Sequence, residues 1–383
     1  MKDNRRNFIK KSTSLAAVMT VGGLSACSET IKNKSTANPA KPTSKEVEWP
    51  IPENPDTPKL CIGVSQDADV NEMRQAKQMG ADYVLMGGPE IPWNVEALRS
   101  VMDRFKSEGL TVINMMIGGH PNTIYGRTGR DEEIKKIQDS LVAAGKAGLP
   151  VVEYNFYAHR LMEGYYEVKA RGGAGNTGFD YERGKNLPPD PKLGTPQTAE
   201  MLWNSLTYFL IAVIPVAEKA GVRMALHPND PPIPLSHGNA QIMATFKDWK
   251  RMIDIVDSPS NGMTFDCGVT REMGEDPLEV LHYLGSRDRI NHMHYRNVIV
   301  DKPYVKYQEV FCDEGQVNLF AVMRELIKIK YNHGLYPEHP RALDYDRQHP
   351  GGTKNQYPGG GGYAGQAYNL AFARAMKLAV LSM

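Results

Sequence analysis

The sequence is poor in the features that mark several large protein classes. Its 383 residues contain four cysteines, with no CxxC pair and too few for a disulfide framework. The formal net charge is +1 and part of the positive charge lies in the first 11 residues, so the sequence indicates no basic surface for nucleic acid. No GxGxxG follows the first apolar segment, and the GGGG run at 359–362 lacks the lysine of a P-loop. The sequence therefore lacks the features of a disulfide scaffold, a nucleic-acid-binding protein or a dinucleotide-binding sheet.

The first 27 residues have the composition of an export signal. A basic segment that contains Arg5 and Arg6 precedes a short run of small and apolar residues, which ends at LSAC (24–27). This run is too short and too rich in Gly and Ser for a transmembrane helix. We interpret residues 1–27 as a twin-arginine-type signal with a lipobox, cleaved before Cys27, which would carry a lipid anchor. A plain secretory signal is the alternative; the first interpretation predicts a periplasmic protein or a membrane-anchored lipoprotein.

The rest of the chain divides into a tether and one large domain. Residues 28–57 are rich in Ser, Thr, Lys, Asn and Pro and contain few apolar residues, which predicts a disordered tether. Residues 58–383 alternate short apolar runs with helical patterns, and eight strand–helix units can be counted. This alternation predicts an α/β domain built as a single (β/α)8 TIM barrel. The predicted strands are 60–65, 82–88, 111–119, 151–156, 225–232, 262–268, 290–298 and 334–340.

Two long inserts interrupt the alternation. The segments 158–195 and 341–363 both leave from the C-terminal ends of predicted strands. Loops at that face of a barrel cover the active site. We therefore predict a barrel with loop insertions on its C-terminal face.

Each of the last four predicted strands ends in a possible metal ligand. Because the C-terminal ends of barrel strands meet at one face, we expect His227, Cys267, His294 and Glu338 to converge. Two imidazoles, a thiolate and a carboxylate form a suitable ligand set for one divalent transition metal. A cysteine ligand favours zinc or ferrous iron and a carboxylate favours manganese, so the residues alone leave the metal open.

Neighbouring residues compete for two of these positions. His292 lies two residues before His294 and points to the same face of the strand, so alternation does not choose between them. Asp266 is expected to point to the face opposite Cys267 and to be the weaker candidate.

Four further residues are candidates for binding a substrate. Arg296 should share the face of His294 and hold either a substrate carboxylate or a ligand; a salt bridge at the strand end is the alternative. Tyr125, Arg127 and Asn155 lie near the ends of the third and fourth predicted strands.

Several motifs together resemble one enzyme family. ALHPNDPPIP (225–234), FDCG (265–268), MHYRNV (293–298) and the EH of YPEHP (336–340) resemble the successive motifs of the UxuA-type mannonate dehydratases. The segment 129–156 resembles the third helix and fourth strand of that family. The resemblance covers most of the chain from about residue 110 and implies a xylose isomerase-like barrel with one divalent metal.

The resemblance also implies roles for individual residues. It maps the metal ligands onto His227, Cys267, His294 and Glu338, and so chooses His294 over His292. The metal would be Mn²⁺ or Fe²⁺, with Zn²⁺ and Co²⁺ as further candidates. It maps the acid–base pair onto His339 and Tyr363 without deciding which residue is the acid. The chain departs from the family pattern at three positions, which are Asn229 and Glu338, where the family usually has Asp, and Gln366, where it has Arg.

The implied function is that of a hydro-lyase in hexuronate catabolism. Such an enzyme would dehydrate D-mannonate or a related aldonate to a 2-keto-3-deoxy acid. Two alternatives are a metal-dependent sugar isomerase or epimerase of the xylose isomerase-like superfamily and a non-catalytic, sugar-binding envelope lipoprotein. The expected partner is a small sugar acid, with no nucleic acid and with a membrane contact only through the lipid at Cys27. A homo-oligomer is compatible with this composition.

Overall fold

The structure is a computed structural model that describes residues 49–52, 54–349 and 357–383. Its strands are β1 (Lys59–Gly63), β2 (Tyr83–Gly87), β3 (Thr111–Ile117), β4 (Val151–Tyr154), β5 (Tyr165–Lys169), β6 (Gly175–Asp180), β7 (Arg223–Leu226), β8 (Leu235–Ser236), β9 (Asn239–Ala240), β10 (Asn261–Asp266), β11 (Ile290–His294), β12 (Asn297–Lys302), β13 (Lys306–Val310) and β14 (Gly334–Tyr336). Its α-helices are α1 (Val70–Gln78), α2 (Val95–Ser107), α3 (Pro121–Tyr125), α4 (Arg130–Ala147), α5 (Ala199–Ala220), α6 (Phe246–Ile255), α7 (Cys267–Glu272), α8 (Pro277–Gly285), α9 (Leu319–Lys328), α10 (Asp344–Gln348) and α11 (Tyr363–Leu381).

Eight parallel strands close into a barrel, in the order β1-β14-β11-β10-β7-β4-β3-β2. Every residue of β4, β10 and β11 is buried, because the strands of a parallel barrel face packed side chains inside and helices outside. All eight predicted strands are present, and the predicted fold class is confirmed. The C-terminal ends of β7, β10, β11 and β14 lie next to one another along one arc of the barrel wall.

Helix ends follow their local chemistry and bring the chain back to the barrel. Asp69 forms a capping box with Glu72 at the start of α1, which satisfies backbone N–H groups that the helix leaves free. Gly148 and Gly221 end α4 and α5 at φ of 87° and 69°, a left-handed conformation that favours glycine. These two helix ends determine where the next strands, β4 and β7, begin.

A second, antiparallel sheet was not predicted. It has the order β12-β13-β6-β5 and combines the first insert with the segment after β11. The first insert was expected to be a loop, and the run 290–298 was expected to be one strand. Instead the barrel strand ends at His294, and Asn297 begins a strand of the second sheet. A small core of its own holds the sheet, made of Leu161, Tyr165, Phe179, Ile233 and Tyr307.

The second insert lies against this sheet in its described parts. Ala342 pairs with Gly175 of β6, and Arg341 pairs with Gly360. The two inserts therefore meet at the C-terminal side of the barrel, as loops that cover an active site would.

Predictions about the N-terminal region fall mostly on residues that the structure does not describe. The export signal, Cys27 and the tether up to residue 48 lie outside the described residues. Trp49 to Pro52 line a pocket of about 330 Å³ together with residues of α11. Within the described residues, α5 is long and apolar enough to cross a membrane by length and composition alone, but its buried face belongs to the main core of the barrel.

Candidate metal centre and active-site cleft

Four side chains converge where four neighbouring barrel strands end. Asp266 and His294 are the last residues of β10 and β11, His227 follows β7 directly, and Glu338 lies two residues after β14. Each offers one ligand atom, and these four atoms lie within 4.8 Å of one another. Three of the four predicted metal ligands are thus brought together, with Asp266 as the fourth group.

His294 stands at the centre of this cluster. Its Nδ1 lies 3.1 Å from His227 Nε2, 3.0 Å from Glu338 Oε1 and 3.8 Å from Asp266 Oδ2. The Nδ1 of His227 lies 2.7 Å from the carbonyl oxygen of Pro228 and must donate to it. The lone pair of His227 is therefore on Nε2, the nitrogen that faces the cluster.

The charges around the cluster fit a divalent cation. Two carboxyl groups of the cluster and four more around it are buried, and three guanidinium groups lie among them. The carboxyls are Glu153, Asp230, Asp266, Glu272, Glu309 and Glu338, and the guanidiniums are Arg160, Arg296 and Arg341. Buried charge of one sign is costly unless it is balanced. Glu338 Oε1 accepts no hydrogen bond of good geometry, although it is buried. A carboxylate oxygen of Glu338 that lacks a well-aligned donor, within reach of two imidazoles and a second carboxylate, is a suitable donor atom for a divalent metal.

Cys267 does not join the cluster, contrary to expectation. Its Sγ lies 3.5 Å from the carbonyl oxygen of His294 and 3.2 Å from that of Arg296, and burial raises the pKa of this thiol. The expectation that Asp266 faces the other way was wrong, because strand alternation ends at Asp266 and α7 begins at Cys267. Burial would raise the pKa of Asp266, but Arg296 and His294 outweigh it and hold this pKa well below its usual range. Asp266 is therefore an ionised carboxylate at the cluster.

His292 lies inside the barrel rather than in the cluster. It is fully buried, neither ring nitrogen has a hydrogen-bond partner, and burial lowers its pKa to about 4. Between the two histidines of β11, the structure thus places His294 in the cluster. Glu153 of β4 lies 3.6 Å from the other nitrogen of His294, Nε2, and accepts hydrogen bonds from Thr264 and Asn114, both at 2.8 Å.

A cleft of about 250 Å³ opens over the cluster. His227, His294, Glu338 and His339 line one side of it. The Nε2 of His339 lies 3.5 Å from Glu338 Oε2, and its Nδ1 lies 2.9 Å from Glu309 Oε2. Burial lowers the pKa of His339, but the carboxylates of Glu309 and Glu338 outweigh it and raise this pKa above its ordinary value. A titratable imidazole thus stands beside the cluster, as an acid–base residue must.

Arg296 lies within a network of ion pairs and is absent from the lining of the cleft. Its guanidinium contacts Glu272 at 2.6 Å, Asp266 at 2.9 Å and Glu338 at 3.2 Å. The salt-bridge alternative for Arg296 is the arrangement that the structure shows. Its positive charge offsets the negative charge of the carboxylates that it contacts.

The other predicted site residues divide between the cleft and the surrounding loops. Asn155 lines the cleft. Tyr125 instead donates to the carbonyl of Ala158 at 3.1 Å, and Arg127 stacks on Tyr125 at 3.8 Å and donates to the carbonyl of Leu193 at 2.6 Å. These two residues fasten the first insert and do not line the cleft.

Tyr363 lies in a different cavity. It is the first residue of α11 and lines a pocket beside Ser65 and Gln366, between α11 and α1. Three tyrosines line the cleft, Tyr157, Tyr336 and Tyr357, and the ring centroid of Tyr357 is 5.2 Å from that of His339. The predicted catalytic tyrosine, Tyr363, is not among them.

Sequence reasoning missed three groups of this site. Arg160 lines the cleft, pairs with Asp230 and lies 5.1 Å from the ring centroid of Tyr357. Glu309 reaches His339 from the second sheet. Asp230 lies within the HPNDPP motif, so the sequence did contain a signal for this residue. Arg160 lies in an insert that carries no motif. Glu309 lies on β13, a strand that was not predicted.

The sequence is similar to those of mannonate dehydratases. The family model for D-mannonate dehydratase (UxuA) matches residues 195–381. Mannonate dehydratase of Thermotoga petrophila is 29% identical over 323 residues, which cover 74% of this chain and 89% of that protein. Mannonate dehydratase of Streptococcus equi subsp. zooepidemicus is 28% identical over 280 residues, which cover 66% and 76%.

Solved structures give the same result. The chain superimposes on the crystal structure of mannonate dehydratase from Streptococcus suis serotype 2 with a TM-score of 0.75 and 25% identity, covering 84% of this chain and 95% of that one. A D-psicose 3-epimerase matches with a TM-score of 0.55 and 12% identity, covering 85% of this chain and 100% of that one, which supports the shared barrel fold alone.

Proposed function

We propose that this chain is a divergent member of the mannonate dehydratase family and acts as a metal-dependent hydro-lyase that dehydrates D-mannonate to a 2-keto-3-deoxy acid. The observation that carries this proposal is the convergence of His227, Asp266, His294 and Glu338 beside His339 in one cleft. A ligand cluster next to a separate acid–base residue is the arrangement that metal-assisted proton abstraction requires.

We propose that His227, Asp266, His294 and Glu338 hold the metal. Two imidazoles and two carboxylates, without a thiolate, favour Mn²⁺ or Fe²⁺ over Zn²⁺. When bound, the metal supplies a Lewis acid that stabilises negative charge developing on the substrate oxygens.

The reaction removes the proton from C2 and expels the hydroxyl of C3 as water, and the resulting enol becomes the 2-keto group. The carbon acid is weak, so a base must be held at C2 and an acid at the leaving hydroxyl. His339 faces the cleft beside Glu338 and can exchange a proton at Nε2. Burial raises the pKa of Tyr357, so this phenol remains protonated and can serve as a donor. The family resemblance assigns the role of catalytic tyrosine to Tyr363 instead.

Arg160 is the group best placed for a substrate carboxylate. It is the arginine among the residues that line the cleft, and about a quarter of its side chain is exposed there (28%). Its partner Asp230 fixes the guanidinium on one edge and leaves donors on the other. Asn155 lines the same cleft and can bond a substrate hydroxyl.

We also propose that the protein is exported and anchored through a lipid at Cys27. The support is the sequence of residues 1–27 alone. A twin-arginine route carries folded proteins and so suits an enzyme that binds its metal before export.

The test of the enzymatic proposal uses the purified full chain, stripped of metal and reloaded with Mn²⁺, Fe²⁺, Co²⁺ or Zn²⁺. Each form is incubated with D-mannonate, other aldonates and aldoses, and 2-keto-3-deoxy acids are measured by a colour reaction. We expect a metal-dependent product from D-mannonate, formed at least about 100-fold more slowly by His339→Ala and at the wild-type rate by His282→Ala, a matched change of an exposed histidine on α8. Bound metal with no keto-deoxy product from any aldonate would contradict the proposal, and NMR of the same mixtures would reveal isomerised sugars.

A further inference from the structure

The second sheet does more than cover the barrel, because one of its strands reaches the proposed acid–base residue. We infer that Glu309 of β13 is a positioning residue that orients the imidazole of His339. The inference rests on the proposed function for what His339 does, but the contact itself can be tested without it.

Glu309 is held in one place by its surroundings. It is 1% exposed, and its Oε2 lies 2.9 Å from His339 Nδ1. Arg341 donates from Nη2 to the same carboxylate oxygen at 2.8 Å and from Nη1 to the backbone carbonyl of Glu309 at 3.2 Å. Because one guanidinium holds both the carboxylate and the backbone carbonyl of Glu309, this buried side chain has little freedom to turn away from the imidazole.

Arg341 also holds the backbone of His339. Its Nε and Nη2 donate to the carbonyl oxygen of His339 at 2.9 and 2.7 Å. The φ of His339 is 45°, in the left-handed region that residues with a side chain rarely adopt. Such conformations persist where surrounding contacts impose them, and they cluster at active sites. One guanidinium therefore fixes both the strained residue and the carboxylate that faces its ring.

The consequence for His339 is a choice between its two nitrogens. A carboxylate beside Nδ1 keeps the proton on that nitrogen, and Nε2 is then the atom that faces Glu338 and the cleft. The N–H of Nδ1 is not yet aligned with Glu309, and catalytic hydrogen bonds commonly align only when substrate is bound. Glu309 does not line the cleft, so it can act on the reaction only through His339.

A cation between Asp230, Glu309 and His339 is the competing explanation, since their ligand atoms lie within 4.8 Å of one another. Arginines already occupy this space. Arg160 pairs with Asp230 at 3.2 Å and Arg341 pairs with Glu309 at 2.8 Å. These guanidiniums supply the positive charge that a second cation would bring, which favours the positioning role.

The test compares Glu309→Gln with the wild-type holoenzyme. We expect kcat to fall about 100-fold and KM to change less than about 3-fold, because orientation of an acid–base residue acts on the chemical step. Glu309→Asp keeps the charge and should retain a kcat between the two. Glu167→Gln, an exposed glutamate on β5 of the same sheet, should behave as the wild type. The metal content per chain should be the same in all four proteins.

A double variant shows whether Glu309 acts through His339. Glu309→Gln added to His339→Ala should slow the enzyme less than about 2-fold further, because residues that act as a unit are not additive. A full additional loss would overturn the inference, as would loss of a metal ion in Glu309→Gln. If Glu309→Gln does not fold, the same comparisons are made with Glu309→Asp.

A spectroscopic readout separates this inference from the proposed function. In ¹⁵N-histidine-labelled, Zn²⁺-loaded protein, the signals missing in His339→Ala identify that ring. We expect them to report a proton on Nδ1, to change in Glu309→Gln and to stay unchanged in Glu167→Gln. Product formation with a His339 signal insensitive to Glu309→Gln would sink the inference and leave the function standing. A sensitive signal without any keto-deoxy product would leave the contact standing and sink the function.

Discussion

The junction between β10 and α7 decides which of two adjacent side chains faces the metal cluster. Asp266 ends the strand and Cys267 begins the helix, so the chain turns between them. The Oδ1 of Asp266 also caps α7 by accepting from the N–H of Val269 at 2.8 Å. The capping bond fixes the rotamer of Asp266 and keeps Oδ2 toward the cluster.

Asp266→Asn should therefore weaken metal binding, while Cys267→Ser should not. The asparagine retains a capping oxygen but lacks the charge that offsets the cation, and we expect its affinity for Mn²⁺ to fall at least about 10-fold. Cys267→Ser should change the affinity less than about 3-fold. Mn²⁺ titration of the metal-free proteins measures both. A Co²⁺-loaded wild type with a thiolate-to-metal absorption band that Cys267→Ser removes would show instead that Cys267 is a ligand.

At the scale of elements, the second sheet links stability to the site. Phe179 of β6 is fully buried, and its ring lies 4.9 Å from that of Tyr165 and 5.1 Å from that of Tyr307. Tyr307 is on β13, two residues before Glu309. A change in this small core therefore shifts the strand that carries Glu309.

We predict that Phe179→Ala and Phe105→Ala differ in activity but not in stability. Both phenylalanines are fully buried, and each substitution should cost about 3–4 kcal/mol of unfolding free energy. Phe105 lies on α2, away from the cleft, so its variant should keep the wild-type kcat while folded. Phe179→Ala should lower kcat at least about 10-fold. Denaturant unfolding and steady-state rates test the pair, and equal kcat values would show that the sheet is only a cover.

The sequence predicted the barrel better than the second sheet for a physical reason. Barrel strands such as β3, with the sequence TVINMMI, are largely buried and read as nearly continuous apolar runs. The strands β5 and β6 carry Gly, Asn and charged residues, so their alternation is weak. Their stability comes from long-range packing on β13, which no local pattern displays.

The site shows the same division. His227, His294 and Glu338 could be predicted because each lies at the end of a barrel strand or within two residues of it. Whether Asp266 or Cys267 faces the cluster depends on the residue at which the strand ends, and a sequence pattern does not define such boundaries to one residue. Tyr357 and Arg160 reach the cleft from inserts whose path no periodicity predicts.

At the scale of the whole molecule, the opposite face of the barrel carries a pH-sensitive group. His333 precedes β14, and burial and the nearby Arg223 lower its pKa to about 4. The folded protein therefore keeps His333 neutral, whereas the unfolded chain binds a proton near pH 6.5. The resulting stability is present above pH 6.5 and is lost as the pH falls toward 4.

His333→Gln should reduce the loss of stability in mild acid. Between pH 7 and pH 5 we expect His333 to account for at most about 2 kcal/mol of the fall in unfolding free energy. The variant should show a smaller fall than the wild type over this interval, and His282→Gln, an exposed histidine, should not. Denaturant unfolding at the two pH values measures the difference. Identical pH dependence in wild type and His333→Gln would contradict the prediction.

The one-sided placement of the cluster has a consequence for selectivity. All four residues of the candidate metal cluster, and His339, come from the arc formed by β7, β10, β11 and β14, while the far wall of the cleft presents Leu85 of β2 and Met116 of β3. A substrate must therefore turn its reacting carbons to one wall and its tail to the other. Under the proposed function, discrimination among stereoisomers that differ only in the tail resides in the first strands, which lie outside the residues that the family model matches (195–381).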